Sequence, residues 1–127
     1  MLLAVLWLSL VGVGAAHCYR FETSAGTAAP APVTWPLETM LTRSQASPTL
    51  VMFAHPECAC TAASLAELAD LLAESAVTVR PRVMVVFTGG QDPRASANWQ
   101  RAGTIIGALR LRDDSGDARR FGARTSG

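Results

Sequence analysis

The stretch TLVMFAHPECACTAASLAELADLLAESAVTVRPRVMVVFT, residues 49–88, decides the fold. Its two ends, 49–54 (TLVMFA) and 82–88 (RVMVVFT), are continuous apolar runs that are typical of buried strands in a parallel sheet. Between them, in 61–74, leucine and alanine recur at helical spacing while acidic residues take the opposite face, which predicts an amphipathic helix. A strand, a helix and a strand within about 40 residues predict a βαβ unit with a right-handed crossover.

The residues that follow this unit predict more elements of the same kind. After a loop that ends at Pro93, we expect a short helix over 95–102 and a third strand over 108–112. A turn at 113–116 then leads to a short helix over 117–121, which Gly122 ends. The predicted fold class is therefore α/β, with a central and mostly parallel sheet.

The N-terminal segment is apolar and uncharged over its first sixteen residues, MLLAVLWLSLVGVGAA. A membrane span needs roughly 17–25 such residues, so the segment suits a cleaved signal peptide or a short membrane anchor, with a buried core helix as a third interpretation. We assign 1–17 to a signal peptide or membrane anchor, 18–36 to a Pro/Ala-rich linker and 37–127 to the folded domain. Either membrane interpretation sends the domain to the extracytoplasmic side, where disulfides persist, and leaves the orientation of the segment open.

The composition excludes several classes of protein. Half of the 127 residues are hydrophobic (50%), the net charge is +1 and lysine is absent. This composition excludes an intrinsically disordered chain and argues against a nucleic-acid partner. A single apolar segment of near-spanning length excludes a polytopic membrane protein. The three cysteines are an odd number, so at least one lies outside any intramolecular disulfide.

The chemistry is concentrated in HPECACT, residues 55–61, between the first strand and the first long helix. Reactive groups of open α/β sheets gather beyond the carboxyl ends of the strands. Cys58 is also expected at a helix N-terminus, where the helix dipole and the unpaired backbone N–H groups favour the nucleophilic thiolate. Glu57 opposes that effect by like charge, and His55 would add to it if the ring were cationic and close.

Cys58 and Cys60 have a spacing that permits, but does not require, a disulfide. Their Cα atoms can come within the roughly 4.4–6.8 Å that a disulfide needs if Cys58 precedes regular helix geometry. Such a tight ring would be strained and therefore easily reduced, which favours redox chemistry. Two alternatives stay open: His55, Cys58 and Cys60 bind Cu(I) or Zn(II), or the cysteines are inert within a non-catalytic, anchored interaction domain.

The segment VMFAHPECACTAASLAELADLL, 51–72, resembles the active-site strand and helix of the thioredoxin-like superfamily. Counted from Phe53, Cys58 falls on the attacking cysteine of that family and Thr61 on the second, so Cys60 is one place early. The chain is more similar to a membrane-anchored bacterial subgroup, including RedB-type proteins, with a His-Pro-x-Cys-x-Cys pattern and a later Phe-Gly-Ala-x-Thr-Ser-Gly, here 121–127. Residues 95–112 also resemble an insertion found in relatives of the TlpA and peroxiredoxin kind.

The resemblance implies an extracytoplasmic thiol–disulfide oxidoreductase that acts on protein thiols and disulfides. Cys58 would attack, Cys60 would resolve, and the disulfide itself would be the redox group, with copper as the alternative cofactor. The supporting residues that the resemblance implies are His55, Pro56, Glu57, Thr61 and Thr125. The family usually places a cis-proline where this chain has 125–127, followed by a closing hairpin and helix. We therefore expect an incomplete thioredoxin-like domain that lacks those last elements.

Overall fold

The domain alternates strands and helices, and the computed structural model describes residues 2–23, 30–74, 79–89 and 91–124. A short 3-10 turn, Pro93–Ala95, precedes the third helix. The elements in chain order are α1 (Leu2–Thr23), β1 (Thr49–Ala54), α2 (Ala59–Glu74), β2 (Arg82–Phe87), α3 (Ala97–Thr104), β3 (Ala108–Arg112) and α4 (Asp117–Arg120).

Helix α1 is exposed on all sides along the residues whose side chains are described. Its length of 22 residues corresponds to about 33 Å at the rise of an α-helix, enough to cross the hydrocarbon core of a bilayer. Large apolar side chains such as Leu3 (82% exposed) and Trp7 (63%) face outward. The core-helix interpretation is therefore wrong. Among the described residues, this one helix is long and apolar enough to span a membrane, and a signal sequence would have the same character.

Three parallel strands form one sheet in the described part of the chain, in the order β1-β2-β3. Strand β2 is the central strand, and its residues Val83 to Phe87 are buried on both faces of the sheet, as their continuous apolar run predicts. Phe53 pairs with Val86 and Ala54 with Phe87, so β1 and β2 end level with each other. The backbone pairing continues one step further, because Thr88 N–H donates to the Ala54 carbonyl at 2.8 Å. The residues that follow β1 and β2 therefore meet at one edge of the sheet.

One face of the sheet packs against α2 and α3. Leu65 of α2 (0% exposed) and Ala102 of α3 (0%) contact the β2 side chains Val83, Val85 and Phe87 in this cluster. The ring of Trp99 lies 5.1 Å from that of Phe87 between centroids. Because α3 packs on the same face as α2, its first turn comes close to the beginning of α2.

The other face is covered by a chain segment that precedes β1 and by the residues after α4. The Trp35 and Phe121 rings meet edge to face with centroids 5.0 Å apart, over Met84 and Val86 of β2. Gly122 adopts a φ of +72°, and a Cβ there would lie 2.8 Å from the Pro30 carbonyl oxygen. Glycine at position 122 therefore allows both the left-handed turn and the close approach of the chain at Pro30.

The predicted elements agree with the observed ones except at helix ends and at the end of β2, which stops at Phe87 rather than at 88. The α/β class and the parallel sheet are confirmed, and the first and third strands have the predicted limits. Helix α1 continues to Thr23, so the first residues assigned to the linker are helical. Helix α3 begins at Ala97 rather than at 95 because the Ser96 hydroxyl caps it, accepting the Trp99 N–H at 3.1 Å.

Candidate functional site

A tight turn at the carboxyl end of β1 carries the cysteine motif. The Cys58 N–H donates to the His55 carbonyl at 3.3 Å, which closes the turn over 55–58. The Glu57 N–H donates to His55 Nδ1 at 3.2 Å, so the imidazole is held by the turn through that nitrogen. The side chains of His55 and Glu57 are exposed. The turn therefore presents the His55 and Glu57 side chains to solvent and its backbone to the protein.

Cys58 and Cys60 lie on either side of the first residue of α2. Cys58 is the residue before the helix, and its carbonyl accepts the first helical bond, from Ala62 N–H at 3.4 Å. Cys60 is the second helical residue, and the first turn of α2 contains no acidic side chain that would neutralise the positive end of the dipole. Cys60 is exposed, Cys58 is half-buried, and the two are not joined by a disulfide in this structure.

Two buried neighbours of the cysteines, Thr61 and Pro56, lie on the protein side of the turn. Thr61 is fully buried (0% exposed), and its hydroxyl oxygen accepts the His55 N–H at 3.2 Å. Thr61 thus satisfies a backbone donor that would otherwise be left unpaired under the turn. Pro56 is also buried. Because proline has no backbone N–H, its backbone carbonyl is the one main-chain group that needs a hydrogen-bond partner. These two residues hold the backbone of the motif and have little exposure to solvent.

Asn98 of α3 supplies that partner and is the residue that the sequence analysis missed. Its side-chain nitrogen lies 2.9 Å from the Pro56 carbonyl and 2.9 Å from the Cys58 carbonyl. Asn98 is 5% exposed and lies 40 residues beyond Cys58 in the chain. The linear signal for it is weak, because an asparagine in a short polar helix is usually a solvated residue.

A cleft of about 240 Å³ lies beside the turn. It is bordered on one side by the turn and on the other by the loop after β2, where Gly89 adopts a φ of +115°. A Cβ on Gly89 would lie 3.4 Å from His55 Nε2, so the glycine keeps the loop close to the imidazole without narrowing the cleft further. The residues that line it are His55, Pro56, Glu57, Gly89, Gln91 and Asp92.

Most of the predicted site residues lie in the turn and in the first turn of α2. The turn holds His55, Pro56, Glu57 and Cys58, and the helix holds Cys60 and Thr61, whereas Thr125 lies outside the described residues. Among the residues that the structure describes, no three His, Cys, Asp or Glu side chains are placed so that they could hold a metal ion. The donor set of His55, Cys58 and Cys60 is therefore not assembled in this conformation.

Comparison of the chain with known proteins identifies no related protein. No family model matches the chain, and searches of the curated proteins and of the solved structures find no match either. The fold and the site thus define the class by themselves. The protein is a small α/β domain with a parallel three-stranded sheet, an apolar N-terminal helix and a neighbouring pair of cysteines at the start of a helix.

Proposed function

We propose that this protein is a thioredoxin-like thiol–disulfide oxidoreductase of the RedB type, with Cys58 and Cys60 as its redox pair. The observation that carries the proposal is the position of the two cysteines at the N-terminus of α2, Cys58 just before the helix and Cys60 in its first turn, beyond the carboxyl end of β1. A helix N-terminus stabilises a thiolate, and the thiolate is the form that attacks disulfides. Of the two residues, Cys60 is exposed, which gives a protein disulfide access to it.

The reaction is two successive thiol–disulfide exchanges. A thiolate of the pair attacks one sulfur of a partner disulfide, a mixed disulfide forms, and the other partner sulfur leaves as a thiolate that takes a proton from water. The second cysteine then attacks the cysteine of the mixed disulfide. The Cys58–Cys60 bond forms, the remaining partner sulfur leaves, and the partner has gained the two electrons that the pair has lost. In reverse, the oxidised pair oxidises a partner dithiol.

The exposure of the two cysteines favours Cys60 as the one that meets the partner. The resemblance implies the opposite order, with Cys58 attacking and Cys60 resolving. A bulky protein disulfide requires access along the S–S axis, which an exposed residue offers more readily than a half-buried one. We therefore assign the mixed disulfide to Cys60 and the resolving role to Cys58.

Helix α1 bears on the cellular compartment in which this activity is expected. As a membrane anchor or a signal sequence, α1 would direct the domain to the extracytoplasmic side, where disulfides persist. Protein thiols and disulfides on that side of the membrane are then the expected partners.

A disulfide-reduction assay tests the activity with the full-length chain in detergent. The parent carries Cys18→Ser, which removes the exposed cysteine of α1. With dithiothreitol as the electron donor, we expect the parent to accelerate reduction of a disulfide-bonded peptide above the rate with dithiothreitol alone. Cys58→Ser combined with Cys60→Ser should return the rate to that background, because neither exchange step remains. A double variant that works as fast as the parent would remove the pair from the reaction.

A further inference from the structure

Asn98 connects α3 to the backbone of the turn that leads into the cysteine pair. Its Nδ2 lies 2.9 Å from the carbonyl oxygens of Pro56 and Cys58, and 3.5 Å from that of His55. An amide nitrogen carries two hydrogens, so the two short contacts are the principal bonds and the third is a weaker one. With 5% exposure, Asn98 makes these bonds out of contact with bulk water, where losing a partner is expensive.

The orientation of the Asn98 amide is set by a second neighbour. Arg101, one turn further along α3, donates through Nη1 to Asn98 Oδ1 at 3.2 Å. A guanidinium offers donors alone, and a carbonyl oxygen accepts alone, so the amide oxygen must face Arg101 and the nitrogen must face the turn. Both ends of the amide are therefore committed, and the side chain cannot rotate without breaking bonds at each end.

The Cys58 carbonyl has two donors at once. It accepts from Asn98 Nδ2 at 2.9 Å and from the Ala62 N–H at 3.4 Å, so the bond from the side chain is the shorter one. The two cysteines are not bonded in this structure, so the bond from Asn98 to the Cys58 carbonyl belongs to the dithiol form. A disulfide holds its Cβ atoms about 3.8 Å apart, and the bond from Asn98 opposes any movement of the Cys58 backbone toward that geometry.

We propose that Asn98 is a positioning residue that stabilises the dithiol form of the Cys58–Cys60 pair through the Pro56 and Cys58 carbonyls. This inference rests on the proposed function. Asn98 touches neither sulfur in the bonds described, and it acts through the backbone that carries Cys58. By favouring the dithiol over the closed ring, it raises the oxidising power of the pair, and its loss makes the pair easier to oxidise.

The test is the thiol–disulfide equilibrium of the Asn98→Ala variant in the full-length Cys18→Ser chain. Each protein is equilibrated with mixtures of reduced and oxidised dithiothreitol. The free thiols are then alkylated, and mass spectrometry gives the fraction of protein in the dithiol and disulfide forms. We expect Asn98→Ala to shift the equilibrium constant about tenfold toward the disulfide, as losing one to two net hydrogen bonds to the dithiol form would. The matched control is Gln100→Ala, on the same helix, whose side chain donates to the Arg94 carbonyl at 2.8 Å and not to the turn. It should leave the equilibrium within about twofold of the parent.

The outcomes separate this inference from the proposed function. If the parent forms the Cys58–Cys60 bond and Asn98→Ala matches Gln100→Ala, the positioning role is overturned and the redox function stands. If the parent forms no such bond at any mixture, the proposed function is overturned and this inference with it. Urea unfolding verifies that each variant is folded. If Asn98→Ala is not, Asn98→Ser, which keeps one donor, should shift the equilibrium in the same direction by less, and no shift in it would overturn the role.

Discussion

Replacing Cys58 by serine should trap a mixed disulfide between Cys60 and a partner, whereas replacing Cys60 should not. The expectation follows from exposure: Cys60 is open to solvent on α2, and Cys58 is half-buried at the end of the turn. Without Cys58, the first exchange proceeds and the second has no nucleophile, so the intermediate accumulates. Without Cys60, the remaining cysteine is poorly accessible, and we expect about tenfold less adduct.

The trapping experiment uses the full-length Cys18→Ser chain and a disulfide-bonded peptide. The adduct is counted by mass spectrometry without reductant, and fragmentation locates the peptide on the chain. Cys58→Ser with Cys60→Ser is the control and should carry no peptide. More adduct on Cys60→Ser than on Cys58→Ser would reverse the assignment and return the attacking role to Cys58, as the resemblance to the thioredoxin-like superfamily implies.

The Asp117→Asn variant should lose about 2 kcal/mol of stability at pH 7, and this loss should shrink in acid. Asp117 begins α4 with 2% exposure, and its Oδ2 accepts from the Ser115 hydroxyl at 2.6 Å while Arg120 lies 3.5 Å from Oδ1. Burial raises the pKa of Asp117, but the hydroxyls of Ser115 and Thr39, the Met40 N–H and the charge of Arg120 outweigh burial and hold that pKa below 3.8. The groups that lower the pKa of the Asp117 carboxylate thus come both from around α4 and from the segment before β1.

The direction of the pH effect follows from this lowered pKa. A carboxyl whose pKa is lower in the folded than in the unfolded chain stabilises the fold fully above the unfolded value, near pH 3.9. The stabilisation is lost as the pH falls through the folded value, because the protonated group no longer gains from its donors. The parent should thus lose stability below about pH 4, and the difference between the parent and Asp117→Asn should narrow there.

Urea unfolding of both proteins from pH 7 downward measures the Asp117 effect. The matched control is Asp114→Asn, since Asp114 pairs with Arg112 at 3.1 Å but is 73% exposed. An exposed pair of this kind contributes about 0–1 kcal/mol, so the control should change little at any pH. An Asp117→Asn variant as stable as the parent at pH 7 would show that the buried carboxylate does not hold α4 in place.

The elements that decide the fold could be predicted because each has a local cause. The runs at 49–54 and 82–87 are apolar along their whole length, which requires burial on both faces of a parallel sheet. The start of α2 was predicted two residues late, since Ala59 and Cys60 add nothing to the amphipathic pattern from which the helix was inferred. The continuation of α1 to Thr23 was missed for a similar reason, because a charge at Arg20 ends an apolar run but does not end a helix.

The site divides in the same way between local and distant causes. The location of Cys58 at the N-terminal end of a helix follows from the neighbouring residues, and it was predicted. The bonds from Asn98 were not, because they join residues 40 to 43 apart and depend on how α3 packs against the sheet. The difference in exposure between Cys58 and Cys60 likewise depends on tertiary packing, and no local pattern contains it.

The measurement that tests the central claim most directly is a redox titration of the full-length Cys18→Ser chain. The protein is equilibrated with glutathione buffers from fully reducing to fully oxidising, and its free thiols are alkylated. Its mass is then measured by mass spectrometry, both intact and after fragmentation. The account predicts one two-electron transition in which Cys58 and Cys60 become protected together, with the loss of two hydrogens and full recovery on reduction. Alkylation of both cysteines at every buffer ratio, or glutathione bound to each separately with no bond between them, would contradict it.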